Sequence, residues 1–255
     1  MREKCAVNPN RDSNTWLARS GAGRRNFLKL ASLSMGMGLL ASGAPLNAAA
    51  AAPTVPKPEN VLTPDAALER LMQGNGRYLK GTGTATNFTS ASKSLAKGQN
   101  PYACILGCAD SRVSPELAFD ENQGDLFVTR VAGNFVTSEI LASLEYGTAV
   151  LNASLIMVLG HTSCGAIGAA IKAVEKDEHF PGHIQSLTTA LSPAVHQAMH
   201  QKSGNLADAA TRENVRLNVQ KLRKATPILS KRVRDGQLKV VGGIYDIKTG
   251  KVELI

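Results

Sequence analysis

The chain has 255 residues, 43% hydrophobic and 4% aromatic, enough for one ordinary domain with a real core and too apolar for a disordered polypeptide. Its formal charge of +9 does not mark a nucleic-acid binder, because the first 50 residues alone hold seven Lys and Arg against two acids. The other basic stretch, Lys221 to Arg234, falls on a helical segment without interleaved aromatics and reads as a solvated helix face, so no nucleic-acid partner is expected.

Residues 1–52 read as an export signal. Gly23-Arg24-Arg25-Asn26-Phe27-Leu28-Lys29 is followed by an apolar stretch from Leu30 to Leu46, diluted by Gly36, Gly38 and Gly43, and then by Ala48 to Ala52 and Pro53. A basic start, a short apolar stretch and small residues at the end describe a cleaved leader. The uninterrupted apolar length falls short of the roughly 20 residues a membrane span needs. The adjacent arginines resemble the twin-arginine type. That implies the twin-arginine export machinery as a partner, cleavage near Ala50, a periplasmic or otherwise exported product and no stable span after processing. Residues 53–62 are Pro-rich and read as an extended linker.

The globular domain is expected over 63–255, with strands alternating with helices. That pattern indicates an α/β fold: a central, mostly parallel β-sheet flanked by helices, an N-terminal helical arm and a C-terminal antiparallel strand. Thr63-Pro64-Asp65 opens the arm, with Thr63 as N-cap and Pro64 in the first turn. Ala67, Leu68, Leu71 and Met72 form its apolar stripe, while Gly74, Gly76 and Gly81 weaken its end. Residues 82–98 read as loop with one helical turn.

The unbroken apolar run from Tyr102 to Gly107 predicts a first strand buried on both faces. Ser114-Pro115-Glu116 starts a short helix, and Leu126 to Val131 is a second strand. A helix over Ser138 to Leu151, a strand over Leu155 to Leu159 and a small-residue helix over Cys164 to Glu175 follow. Residues 183–200 and 206–234 read as helical, with a break near Lys202-Ser203-Gly204 and a kink or a fresh start at Pro227. The last strand runs from Leu238 to Ile247, and Thr249-Gly250 turns it back into Val252-Glu253-Leu254.

Two short clusters end two of the apolar runs: Cys108-Ala109-Asp110-Ser111-Arg112 and His161-Thr162-Ser163-Cys164-Gly165. If those runs are neighbouring parallel strands, both clusters emerge at the carboxyl edge, where open α/β sheets bind ligands. Two Cys, one His and one Asp then converge in a set that zinc takes. Cys164, at a helix N-terminus, has its thiolate favoured by backbone N–H groups and the helix dipole. Cys104, about 13 Å from Cys108 along the strand, cannot bridge to it and reads as a small buried apolar residue. His196 and His200 share a helix face but read as exposed polarity.

On these residues the chain resembles a β-class carbonic anhydrase. Cys108 to Arg112 matches that family's C-x-D-x-R and His161 to Gly165 its H-x-x-C-G. Ala67 to Leu71 with Gly74-Asn75, Gln99-Asn100-Pro101, Arg130 to Asn134 and Tyr245-Asp246 are similar to further segments, so the likeness spans 63–255. It implies reversible hydration of CO2 to bicarbonate and a proton by zinc-bound hydroxide, with one Zn2+ per subunit. Cys108, His161 and Cys164 would be the constant ligands, and Asp110 and Arg112 a catalytic dyad. Asp110 either bonds Arg112 in an open site or swings onto the metal as a fourth ligand. Gln99 would reach the substrate across a dimer interface, and Gly165 could offer its N–H to a substrate oxygen. The resemblance also implies a homodimer or higher homo-oligomer.

Some members carry a Trp three residues before the first Cys ligand, as part of a pocket through which bicarbonate closes the site. Ile105 stands there, although Arg130 and Tyr245 resemble the pocket's other members. The expectation is an open site without bicarbonate switching. With two thiolates already neutralising the ion, activity is expected to rise at alkaline pH. Alternatives on the same fold are a COS or CS2 hydrolase and a non-catalytic zinc- or bicarbonate-binding protein.

Overall fold

The computed structural model describes residues 57–83, 93, 95–201 and 204–255. The leader and the first part of the proposed linker lie outside these residues, as do Lys202, Ser203 and most of the loop expected after the arm. Strands β1 (Ala103–Gly107), β2 (Leu126–Arg130), β3 (Leu155–His161), β4 (Lys239–Tyr245) and β5 (Val252–Leu254) form one sheet in the order β2-β1-β3-β4-β5. The first four are mutually parallel and β5 is antiparallel to β4. Every residue of β1 and β3 is buried, as the unbroken apolar runs require of strands covered on both faces.

Alternate side chains serve two cores. Cys104 and Leu106 of β1 join Ile156 and Val158 of β3 and Val240 of β4 under Leu144 of α3 (Ser138–Ala149), Val215, Val219 and Leu222 of α6 (Leu206–Lys224) and Leu229 of α7 (Leu229–Arg234). Ala103 and Ile105 face the other way with Leu155, Met157 and Leu159, beneath Ala67 and Leu71 of α1 (Pro64–Lys80) and Phe119 behind α2 (Pro115–Ala118). A third cluster caps the carboxyl edge, where Cys108 and Cys164 pack with Ile167 and Ala170 of α4 (Gly165–Lys176), Leu191 and Val195 of α5 (Ile184–His200) and Ala209 and Ala210 of α6.

Several boundaries differ from the sequence reading. Thr63 Oγ1 caps α1 by accepting the Ala66 N–H, but the helix runs through Gly74 and Gly76 and stops only at Gly81, whose φ of 65° ends it left-handed. Gly74 serves packing: a Cβ there would lie 1.8 Å from the Phe119 carbonyl oxygen. The segment read as linker is already structured from Lys57. Pro58–Asn60 forms a 3-10 turn, and buried Asn60 donates to the Asn100 carbonyl at 2.8 Å and to Asp125 at 2.9 Å. Of the two readings of Pro227, the fresh start holds: the helical stretch over 206–234 is two helices, α6 and α7, separated around that proline. The strand expected to reach Ile247 ends at Tyr245, and that expected to end at Leu159 continues to His161.

Candidate metal centre and active site

Parallel pairing of β1 with β3 in the register Gly107 to Leu159 carries both motifs out of the sheet at one edge. The three ligand atoms of Cys108, His161 and Cys164 all lie within 4.8 Å of one another, and all three residues are buried. Among the described residues this is the one such group. His196 and His200 are exposed on α5 and take no part.

The donor set fits zinc. The two sulfurs are 4.0 Å apart, close to the ~3.8 Å between two thiolates bound at 2.3 Å to a tetrahedral ion. His161 Nδ1 lies 2.9 Å from the Thr162 carbonyl oxygen, which accepts its proton and leaves Nε2 as the lone-pair nitrogen. That Nε2 is buried and has no hydrogen-bond partner, a cost that a coordinated cation removes. Without a metal the sulfurs share a proton. The Cys164 thiol donates to Cys108, whose thiolate is held down at about 4 by that bond and by the Gly133 N–H, while the Cys164 thiol is pushed far up.

Asp110 stands outside the trio. Its Oδ1 accepts Arg112 Nε at 2.9 Å and the Arg112 backbone N–H at 3.0 Å, and its Oδ2 accepts Arg112 Nη2 at 2.7 Å. The Arg112 guanidinium holds this carboxyl far below the usual carboxylate range. Asp110 Oδ2 remains 3.8 Å from His161 Nε2, so the carboxylate borders the site without entering it. Of the two arrangements open to Asp110, the structure shows the one on Arg112.

Gly165 opens α4 directly behind Cys164, and a Cβ there would meet nothing within 4 Å. Its N–H lies in the first turn of α4, where an N–H has no partner within the helix. Gln99 is exposed at the amino end of β1, a five-residue strand away from the cluster, or about 16 Å at 3.3 Å per residue. One subunit does not bring it to the ligands.

Three positioning contacts escaped the sequence reading. Arg112 Nη2 also donates to the Ser163 carbonyl at 3.2 Å, tying the two motif loops together. Gly133 N–H donates to Cys108 Sγ at 3.2 Å. Arg130 donates to the carbonyls of Cys108, Asp110 and Val113 at 2.8, 2.6 and 2.9 Å, clamping the whole first loop. The sequence singled out Arg112 as a dyad member, Arg130 as like a pocket member and Arg130 to Asn134 as a segment of resemblance, none of which gives these roles.

The family model for carbonic anhydrase matches residues 103–252. A Mycobacterium tuberculosis protein, carbonic anhydrase 2, is 36% identical over 193 residues, covering 75% of this chain and 92% of that one. The solved structure of the β-carbonic anhydrase CcaA superposes with a TM-score of 0.59 at 29% identity, covering 73% of this chain and 94% of the other. A tetrameric β-carbonic anhydrase from Sordaria macrospora shares the fold, with a TM-score of 0.60 at 22% identity over 74% of this chain and 97% of its own. The parallel sheet, the Cys-His-Cys trio at its edge and these likenesses agree: the chain belongs to the carbonic anhydrase family, in its β class.

Proposed function

We propose that the chain hydrates CO2 reversibly to bicarbonate and a proton with one zinc ion per subunit, held by Cys108, His161 and Cys164. One observation carries the reading: three buried ligand atoms within 4.8 Å of one another, bordered by a carboxylate that Arg112 keeps off them. Zinc bound there supplies the Lewis acidity that makes hydroxide available near neutral pH.

The chain's own groups do the rest. Asp110, ionised and acceptor-only, would accept a hydrogen bond from the attacking oxygen and so aim its lone pair at the CO2 carbon. Arg112 holds that carboxylate in place and charged. The Gly165 N–H, at the positive end of α4, meets the substrate oxygen on which negative charge grows. Gln99 reaches the substrate from a second subunit. A homodimer or larger homo-oligomer is therefore part of the reading, and the tetrameric relative from Sordaria macrospora supports it. The matched relatives are named carbonic anhydrase, which favours CO2 over COS or CS2 as the substrate.

The leader is read as a twin-arginine-type signal that places the mature protein in the periplasm. Arg24-Arg25, the diluted apolar stretch and Ala48 to Ala52 support this. Among the described residues no helix is long and apolar enough to cross a membrane. Replacing Arg24 and Arg25 with Lys should keep the protein out of the periplasmic fraction. The activity is tested by stopped-flow CO2 hydration on zinc-loaded and chelator-stripped protein: turnover is expected only in the loaded sample. Equal rates in both would overturn the reading.

A further inference from the structure

Two buried asparagines on α6 sit among the valines and leucines that pack against the sheet. Asn214 is 3% exposed and Asn218 is 7% exposed. Burying a carboxamide is costly unless its donors and acceptors are met, and here they are met on one strap, residues 133–136. Asn214 Nδ2 donates to the Gly133 carbonyl at 2.8 Å. Asn218 Oδ1 accepts the Val136 N–H at 2.8 Å, while Asn218 Nδ2 donates to Asn214 O at 2.8 Å and to Asn214 Oδ1 at 3.0 Å. The second asparagine thus sets the orientation of the first.

The strap ends on the metal centre. Gly133 sits at φ 86°, and a Cβ there would lie 2.7 Å from Leu191 Cδ1. A glycine's own torsions resist little, so where Gly133 sits depends on contacts that hold the strap, and Asn214 and Asn218 hold it at Gly133 and at Val136. The Gly133 N–H points at Cys108 Sγ, 3.2 Å away.

We propose that Asn214 is a positioning residue for the metal centre: by gripping the Gly133 carbonyl it anchors the strap whose Gly133 N–H meets the Cys108 sulfur, and Asn218 locks the grip. The inference rests on the metal-binding reading above. An N–H directed at a thiolate withdraws electron density from the sulfur and keeps it in coordinating position. Partners of this kind, one shell out from the ligands, typically change metal affinity 10- to 100-fold when lost.

The test uses cobalt in place of zinc and reads the thiolate-to-cobalt charge-transfer band together with metal affinity in a chelator competition. In Asn214→Leu the band should move to longer wavelength, as the sulfur becomes more electron-rich, and affinity should fall about 10-fold or more. Asn218→Asp, which keeps the acceptor for Val136 but loses the donor to Asn214, should move both readouts the same way by less, and serves if Asn214→Leu does not fold. Thr211→Val is the control. Its hydroxyl, buried on the same helix, donates only to the Ala207 carbonyl, so its loss should leave band and affinity as in wild type. An unmoved band in both asparagine variants would overturn the role of Asn214. Equal loss of metal in Thr211→Val would overturn it too, by assigning the effect to general destabilisation. Wild-type protein that takes up no cobalt would overturn the metal reading itself.

Discussion

Arg112 grips Asp110 with two prongs, Nε to Oδ1 at 2.9 Å and Nη2 to Oδ2 at 2.7 Å, while the same Nη2 reaches the Ser163 carbonyl on the other motif loop. The carboxylate is thereby aimed and also restrained from the ligand atoms beside it. Arg112→Ala releases both functions. CO2 hydration should fall about 100-fold, the size of loss expected when an attacking group is misaimed, with metal content unchanged. Arg112→Lys should recover only part, because an ammonium lacks the planar fork that meets two oxygens at once. Stopped-flow rates with metal analysis on the same samples check this. Unchanged turnover in the alanine variant would refute the dyad.

Bicarbonate should act as a simple product inhibitor with a hyperbolic dose response. Arg130, which resembles a member of a regulatory bicarbonate pocket, spends Nε and Nη2 on three carbonyls of the first motif loop. Tyr245 has its hydroxyl 3.4 Å from that of Tyr78, and Ile105 is fully buried in the core. An anion at Arg130 would have to compete with the clamp that shapes the loop. Sigmoidal inhibition in a titration of the hydration rate would count against this.

Gly74 and Gly76 lie two residues apart in α1 and should answer oppositely to alanine. At Gly74 the new Cβ would be 1.8 Å from a backbone oxygen, which cannot swing away. Overpacking of that kind costs about 1–3 kcal/mol or more. At Gly76 nothing lies within 4 Å. There alanine only removes a helix-interior glycine, a gain of about 0.5–1 kcal/mol. Urea unfolding of the two variants, with opposite shifts in midpoint, is the check.

These glycines show where sequence reading stops. Propensity argues that both weaken the helix, and only the third dimension separates the one that touches Phe119 from the one that touches nothing. The sheet and the trio were legible for the converse reason. Central parallel strands need apolar side chains on both faces, so Tyr102 to Gly107 and Leu155 to Gly160 stand out, and each carries a chemical motif directly behind it. The clamp of Arg130, the link from Arg112 to Ser163 and the Gly133 N–H were illegible because they end on or start from backbone groups, which every residue supplies alike. Asn60 was misread as linker because its partners, Asn100 and Asp125, lie far along the chain.

Arg70 holds together a buried acidic group beside the arm. It donates to Glu121 Oε1 and Oε2 at 3.3 and 2.7 Å, lies 3.2 Å from Asp125, and stacks over the Tyr102 ring, whose hydroxyl donates to Glu121. Burial lifts the Glu121 carboxyl above its usual range even with Arg70 in place. Arg70→Met should therefore cost about 3–5 kcal/mol near neutral pH, the size expected for stranding a buried charge. In the variant the folded-state pKa of Glu121 rises further above its unfolded value of about 4.3. The deficit is then absent below that value and grows as pH rises through the folded pKa. Urea unfolding at pH 5 and pH 8 should show the smaller difference from wild type at pH 5; an equal difference at both would mean that Glu121 is not the group stranded.

Metal uptake should expel protons in a number the site sets. In the metal-free trio Cys108 is a thiolate, while Cys164 keeps its proton because its neighbour is already charged. His161 is buried, which lowers its pKa, but the Cys108 thiolate and the Thr162 carbonyl outweigh this and raise it above the ordinary value, so part of the population is protonated near pH 7. A divalent ion needs both sulfurs as thiolates and the imidazole neutral. Binding at pH 7 therefore releases the Cys164 proton and the fraction held by His161, at least one proton per ion. Zinc titration calorimetry in buffers of differing ionisation enthalpy reads this number directly as a slope. A slope of zero at pH 7 would show that the two sulfurs are not both ligands.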